Sequence, residues 1–162
     1  MMRAWLHIIS LVLLSVCSGC ESDSQFDRLS EIEVVKLGEA YAGVGAGYET
    51  VFTGNDIQWF DEKTRELRLD DNFLSNRLPS GGTLLFKLAD MELFTVHVIS
   101  GLTAGTCNDL VLFYDAVVGK YYLYDSYPKN TSSEIIRLNA EIRSENWALF
   151  LMQLRREGRI KE

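Results

Sequence analysis

The chain has 162 residues, with 16 basic and 23 acidic side chains and a formal net charge of −7 at neutral pH. That length suits one domain with a real core. The acidic balance argues against nucleic acid, whose binding needs Lys and Arg to neutralise phosphates.

The chain opens with Arg3 and an apolar run from Ala4 to Val16, broken by His7, Ser10 and Ser15. A membrane-spanning helix needs roughly 20 apolar residues, and this run is shorter. Its length and positive flank fit the apolar region of a secretory signal peptide. A buried core helix would leave a one-sided polar stripe, which the run lacks.

The run ends in "CSGC", which resembles the lipobox of bacterial lipoproteins, with small Ser18 and Gly19 just before Cys20. Cys17 stands where that family usually has Leu. The rival register, "LSVC", sets branched Val16 beside the cut, so Cys20 is the expected lipidation site. The resemblance implies that residues 1–19 are removed and that Cys20 carries several acyl chains. At about 0.8 kcal/mol per buried methylene, one chain binds a bilayer marginally and several bind persistently. The expected partner is therefore a membrane, held through a lipid anchor and not by a span. "ESDS", Glu21 to Ser24, is similar to the surface-export signals of Bacteroidetes lipoproteins, which implies a cell-envelope protein of the outer membrane, periplasmic or surface-facing. Residues 20–30 then read as a polar tether and residues 31–162 as a single globular domain. With Cys17 removed and Cys20 acylated, Cys107 is left as the thiol and His97 as the other soft ligand. Two such residues do not make a zinc or iron–sulfur site, so neither a metal nor a cofactor is expected.

"FDRLSEIEVVKLGEAYAG" suits a helix through Phe26, Leu29 and Ile32, or a strand through Ile32, Val34 and Val35. Gly43, Gly45 and Gly47 lack the GxGxxG spacing of a phosphate loop and read as a softened loop or twisted strand. In "FTGNDIQWFDEKTRELRLDDN", Thr53 or Asn55 is expected to cap a single turn carrying Ile57 and Phe60. "DEKT" makes a turn and 66–69 a half-buried strand. This phrase resembles segments of small Bacteroidetes lipoproteins, which implies no particular activity. Asp70 with Asp71, and Asp61 with Glu62, lack the spacing of a calcium loop and read as solvated turn charges. Asn130-Thr131-Ser132 matches a glycosylation sequon, which means little in a bacterial lipoprotein.

The strongest β signal follows in two pairs, 83–89 with 93–99 and 110–116 with 120–126, each across a hairpin-length gap. Short connections imply antiparallel pairing. Near the end, Trp147, Phe150, Leu151 and Leu154 share one helical stripe over 144–157. Ser144 is placed to cap that helix and Gly158 to stop it. The expected fold is α+β: an antiparallel sheet of four to six strands with this amphipathic helix packed on one face.

Two candidate sites emerge. Cys107 and His97 form a nucleophile–base pair that Asp109 would orient. An antiparallel 93–99/110–116 hairpin would set His97 opposite Leu112 and leave Cys107 roughly 16 Å away, too far for proton transfer. The second is aromatic. Tyr122 and Tyr124 point one way from their strand, Tyr121 and Leu123 the other. With Tyr114 and Tyr127 they would offer a glycan or protein partner a ring surface edged by Asp125 or Lys120, although tyrosine also serves in ordinary cross-strand packing. The expected function is a lipid-anchored, non-enzymatic binding or accessory module. The alternatives are a small envelope hydrolase or thiol enzyme using Cys107 and His97, and a structural envelope lipoprotein. Replacing Cys20 with Ala should abolish processing after Gly19 and release the protein from the envelope fraction. Unchanged cleavage and retention, checked by mass spectrometry of residue 20 and by fractionation, would refute the anchor.

Overall fold

The computed structural model describes residues 31–38, 48–70, 78, 81–100, 105–129 and 133–161. Residues 1–19, Cys20 and the tether to residue 30 lie outside these, as do Gly43, Gly45, Gly47, Asp71 and Asn130-Thr131-Ser132. Among the described residues no helix is long and apolar enough to cross a membrane.

The described strands are β1 (Ile32–Lys36), β2 (Glu49–Thr53), β3 (Ile57–Asp61), β4 (Glu66–Leu69), β5 (Thr83–Leu88), β6 (Met91–Ser100), β7 (Val111–Asp115), β8 (Lys120–Tyr124) and β9 (Ile160–Lys161). Two helices follow β8, α1 (Glu134–Ile142) and α2 (Ser144–Arg156). All nine described strands join one mixed sheet in the order β2-β1-β5-β6-β7-β8-β4-β3-β9, curved into a half-barrel. This overturns the expected antiparallel sheet of four to six strands with one covering helix.

Two pairings account for the difference. β6 and β7 run parallel, with His97 beside Val111 and Ile99 beside Phe113. The hairpin that would have set His97 opposite Leu112 therefore does not form. After α2 the chain returns as β9, parallel to β3. Ile57 and Phe60, expected on a capped turn, belong to β3. The turn is a short 3-10 segment just before it, Gly54–Asp56, where the Thr53 amide donates to Asp56 Oδ2 at 2.7 Å.

Several local expectations match the structure. Ile32, Val34 and Val35 form a strand, 66–69 pairs with β3 and β8, and β5 and β6 make a hairpin. Leu88 faces Met91 across its two-residue turn, where Ala89 takes the left-handed φ of +54°. The β7–β8 hairpin forms as read, with Phe113 opposite Tyr122 and Tyr114 opposite Tyr121.

One face of the sheet carries Ile32, Val34, Phe52, Phe60, Leu67, Leu84, Phe86, Phe94, Val96, Val98, Leu112 and Leu123 into a common core. α2 lays Trp147, Phe150, Leu151 and Leu154 onto that face. Phe150 meets Phe60, Phe86 and Phe94 edge-on at centroid separations of 6.0, 5.8 and 5.6 Å, the contact geometry that ring quadrupoles favour. Ser144 proves to be the first helical residue, and Arg143 holds the cap position. At the other end the Gly158 amide donates to the Arg155 carbonyl and the Arg159 amide to the Leu154 carbonyl. Gly158 has φ +68°, so this stop needs a residue that enters the left-handed region without penalty.

Phe150→Ala is expected to cost about 3–5 kcal/mol of stability, because one ring leaves three aromatic neighbours facing a cavity. Urea unfolding at constant slope would read the loss, and a change below about 1 kcal/mol would mean that α2 does not seal the core.

Candidate functional site

Alternation along β7 and β8 decides which aromatic residues meet. Leu112 and Leu123 point into the core, so Phe113, Tyr122 and Tyr124 stand on the opposite, outer face. Their rings form a row. Tyr122 and Tyr124 stack at 5.3 Å with 11° between planes, and Tyr124 lies 6.3 Å from Phe113 at 25°. Phe113 in turn stacks on Tyr127 at 5.4 Å. Parallel rings at these separations are offset, so each covers only part of its neighbour. The four residues are half-buried, and Lys129 Nζ stands 4.8 Å over the Tyr124 ring.

Tyr114 does not join this row. It pairs with Tyr121 at 4.9 Å on the other face, where Tyr121 packs against the core. Phe113 takes the place in the strip that was assigned to Tyr114. It is the member that reading the tyrosines missed. Its signal was available: the hairpin register that opposes Tyr122 to position 113 also puts that side chain on the outer face.

Tyr127 reaches the strip because the chain on both sides of the hairpin is stapled. Cys107 N donates to Tyr127 O at 2.7 Å, and Tyr127 N donates to Cys107 O at 2.8 Å. Cys107 therefore contributes its backbone here. Its half-buried thiol faces the Asp109 carbonyl oxygen at 3.7 Å.

The proposed nucleophile–base constellation is divided among separate contacts. His97 stands exposed on the outer face, with Nδ1 3.3 Å from the Thr83 hydroxyl. Asp109 Oδ1 accepts from Arg143 at 2.9 Å and from its neighbour's amide, Leu110 N, at 2.7 Å. Its carboxylate is thus held toward the helices and not toward an imidazole. Among the described residues no group of three His, Cys, Asp or Glu side chains is placed to hold a metal ion.

Arg143 belongs to a charge relay that sequence reasoning did not find. Its side chain is 9% exposed and bridges Asp109 and Asp125. Asp125 also accepts from Arg65, whose Nη2 donates to both carboxylate oxygens at 3.0 and 2.9 Å. Arg65 lies 4.4 Å over the Trp147 ring and has a left-handed φ of +66°, a conformation costing about 1–2 kcal/mol outside glycine. Burial pulls the Arg65 guanidinium below its ordinary range, while Asp125 pulls it back up. The order Arg65, Asp125, Arg143, Asp109 pins the junction of α1 and α2 to the chain after β8 and before β7.

At the rim of the aromatic strip, Lys120 Nζ pairs with Glu66 at 3.0 Å, which raises the lysine's pKa. Comparison of the chain with protein families, with curated proteins and with solved structures finds no match in any of the three.

Burial of Tyr124, and then its neighbours Tyr122, Asp115 and Glu66, push its phenol above the ordinary value of about 10. The folded state therefore favours the neutral phenol. Its contribution is fully present below the unfolded-chain pKa and is lost as pH rises through the higher folded value. Phenolate absorbance should show a tyrosine ionising later than in the unfolded chain. That component should vanish in Tyr124→Phe, and its persistence there would show that the strip is not its source.

Proposed function

We propose that this protein is a lipid-anchored, non-enzymatic binding module of the cell envelope, tethered through Cys20, that holds a neutral glycan on the outer strip of β7 and β8. The observation that carries this reading is the row of Tyr122, Tyr124, Phe113 and Tyr127, stacked yet only half-buried on the face away from the core. An antiparallel hairpin commonly shows polar side chains on its solvated face. Here that face shows rings, which stack on the apolar face of a pyranose while their hydroxyls bond its rim. Lys129, Lys120 and Glu66 edge the strip with the polar groups that orient a sugar. A net charge of −7 disfavours an acidic glycan at long range. A lipid at the far end of a polar tether suits a module that presents such a face beyond the bilayer.

Titrating the full chain with soluble oligosaccharides of glucose, mannose and N-acetylglucosamine tests the reading. One of them should bind, and the Tyr122→Ala/Tyr124→Ala double variant should bind it about tenfold more weakly or worse. Cys20→Ala should leave that affinity unchanged. Equal binding by the double variant, or no response from any of the sugars, would overturn the proposal.

A further inference from the structure

We infer a second binding site, separate from the aromatic strip: a groove at the start of β6 that takes a short extended peptide by its free amino end. The groove arises because β7 begins late. β6 pairs with β5 from Met91 onward but with β7 only from His97. Val98 N donates to Gly82 O across β5, whereas His97 N donates to Leu110 O on the β7 side. Two residues earlier in the same alternation, the N–H and C=O of Thr95 also aim toward the β7 side, and among the described residues no strand lies there.

The ladder stops at a specific bond. Continued one step, the parallel register would bring Leu110 N to the Thr95 carbonyl. The Leu110 amide instead donates to Asp109 Oδ1 at 2.7 Å. Arg143 holds that same oxygen at 2.9 Å, so the chain before β7 is drawn toward the helix junction and the edge of β6 stays open. The space left is a cavity of about 230 Å3 whose walls include Leu93, Thr95, Asp109, Asn139, Asn146 and Arg143, the last with its charge held between Asp109 and Asp125. That is below the roughly 300–1,000 Å3 of drug-sized pockets and fits a fragment of one or two residues.

The walls select the end that enters. Asn139 Nδ2 donates to the Asn108 carbonyl at 2.9 Å and Asn146 Nδ2 to the Leu93 carbonyl at 2.6 Å. A carbonyl only accepts, so both amides are fixed in orientation and keep Oδ1 as an acceptor. Asp109 likewise keeps Oδ2, since Oδ1 takes both of its bonds. Three acceptors beside one open N–H and C=O pair suit an ammonium followed by a peptide unit lying along Thr95. Ile142, 74% exposed at the rim, meets a side chain of that peptide.

The test uses the 15N-labelled full chain with two probes, alanyl-alanine amide and its N-acetylated form. Without ligand, the Thr95 amide should exchange with solvent far faster than that of Val96, its neighbour bonded to β5. Alanyl-alanine amide should shift the Thr95 amide and the side-chain amides of Asn139 and Asn146. N-acetylation, which removes the charge, should weaken binding about tenfold or more. Asn139→Ala, which removes one of the three acceptors and leaves the Asp109–Arg143 pair in place, should weaken it several-fold while leaving oligosaccharide binding intact, which separates this site from the aromatic strip. A protected Thr95 amide, equal binding of the acetylated probe, or shifts confined to other residues would each overturn the inference.

Discussion

Phe150 against Phe60, Phe86 and Phe94 is the contact on which the rest of the structure depends. A half-barrel curves its sheet without closing it, so its inner face needs a lid. α2 supplies one, and the ring of Phe150 reaches strands from both halves of the sheet. Trp147 extends the contact, lying 5.8 Å from Phe60 and 5.5 Å from Phe94. Burying side chains of this size contributes about 1.5–3 kcal/mol each before packing terms are added. With the inner face committed to the helix, the rings of Phe113, Tyr122 and Tyr124 stand on the other side of the sheet, away from the core.

The charge relay then fixes where the lid sits. Arg143 is buried while its partners Asp109 and Asp125 are about two-fifths exposed. The pairs therefore fall between a surface ion pair, worth at most about 1 kcal/mol, and a fully desolvated one. Their larger effect is positional. Asp125 follows β8 and Asp109 precedes β7, so one guanidinium ties both to the turn between the helices. Arg65 over Trp147 links the β3–β4 turn to the same point. The bond that draws Asp109 to Arg143 also ends the β6–β7 ladder early, so the groove at Thr95 follows from the way the lid is fastened.

Much of the local structure could be read from the residues. The hairpin over β7 and β8 follows from alternation and a short gap, and that alternation correctly split Tyr122 and Tyr124 from Tyr121. The apolar stripe of α2 and the glycine that ends it were equally legible, because both depend on neighbours within a few positions. Tyr114 was misassigned to the strip, since its face depends on the cross-strand register and not on residue type. Arg65 and Arg143 gave no signal, and Asp125, read as an edge of the ring surface, is instead their shared partner; the three are far apart in sequence and individually indistinguishable from surface charges.

By itself, the sequence determined the elements whose causes are local: the alternating strand 66–69, the strand read over 120–126 and found at Lys120–Tyr124, and the helix of Trp147 to Leu154. Tertiary structure decided what depends on distant partners. The direction of β7 relative to β6 was set by the Cys107–Tyr127 staple, the Asp109–Arg143 pair and burial of Leu110 and Leu112, which no window of sequence contains. The return of the chain as β9 beside β3 was decided in the same way. A strand's residues specify which face is apolar, but its neighbour and direction come from whatever else buries that face.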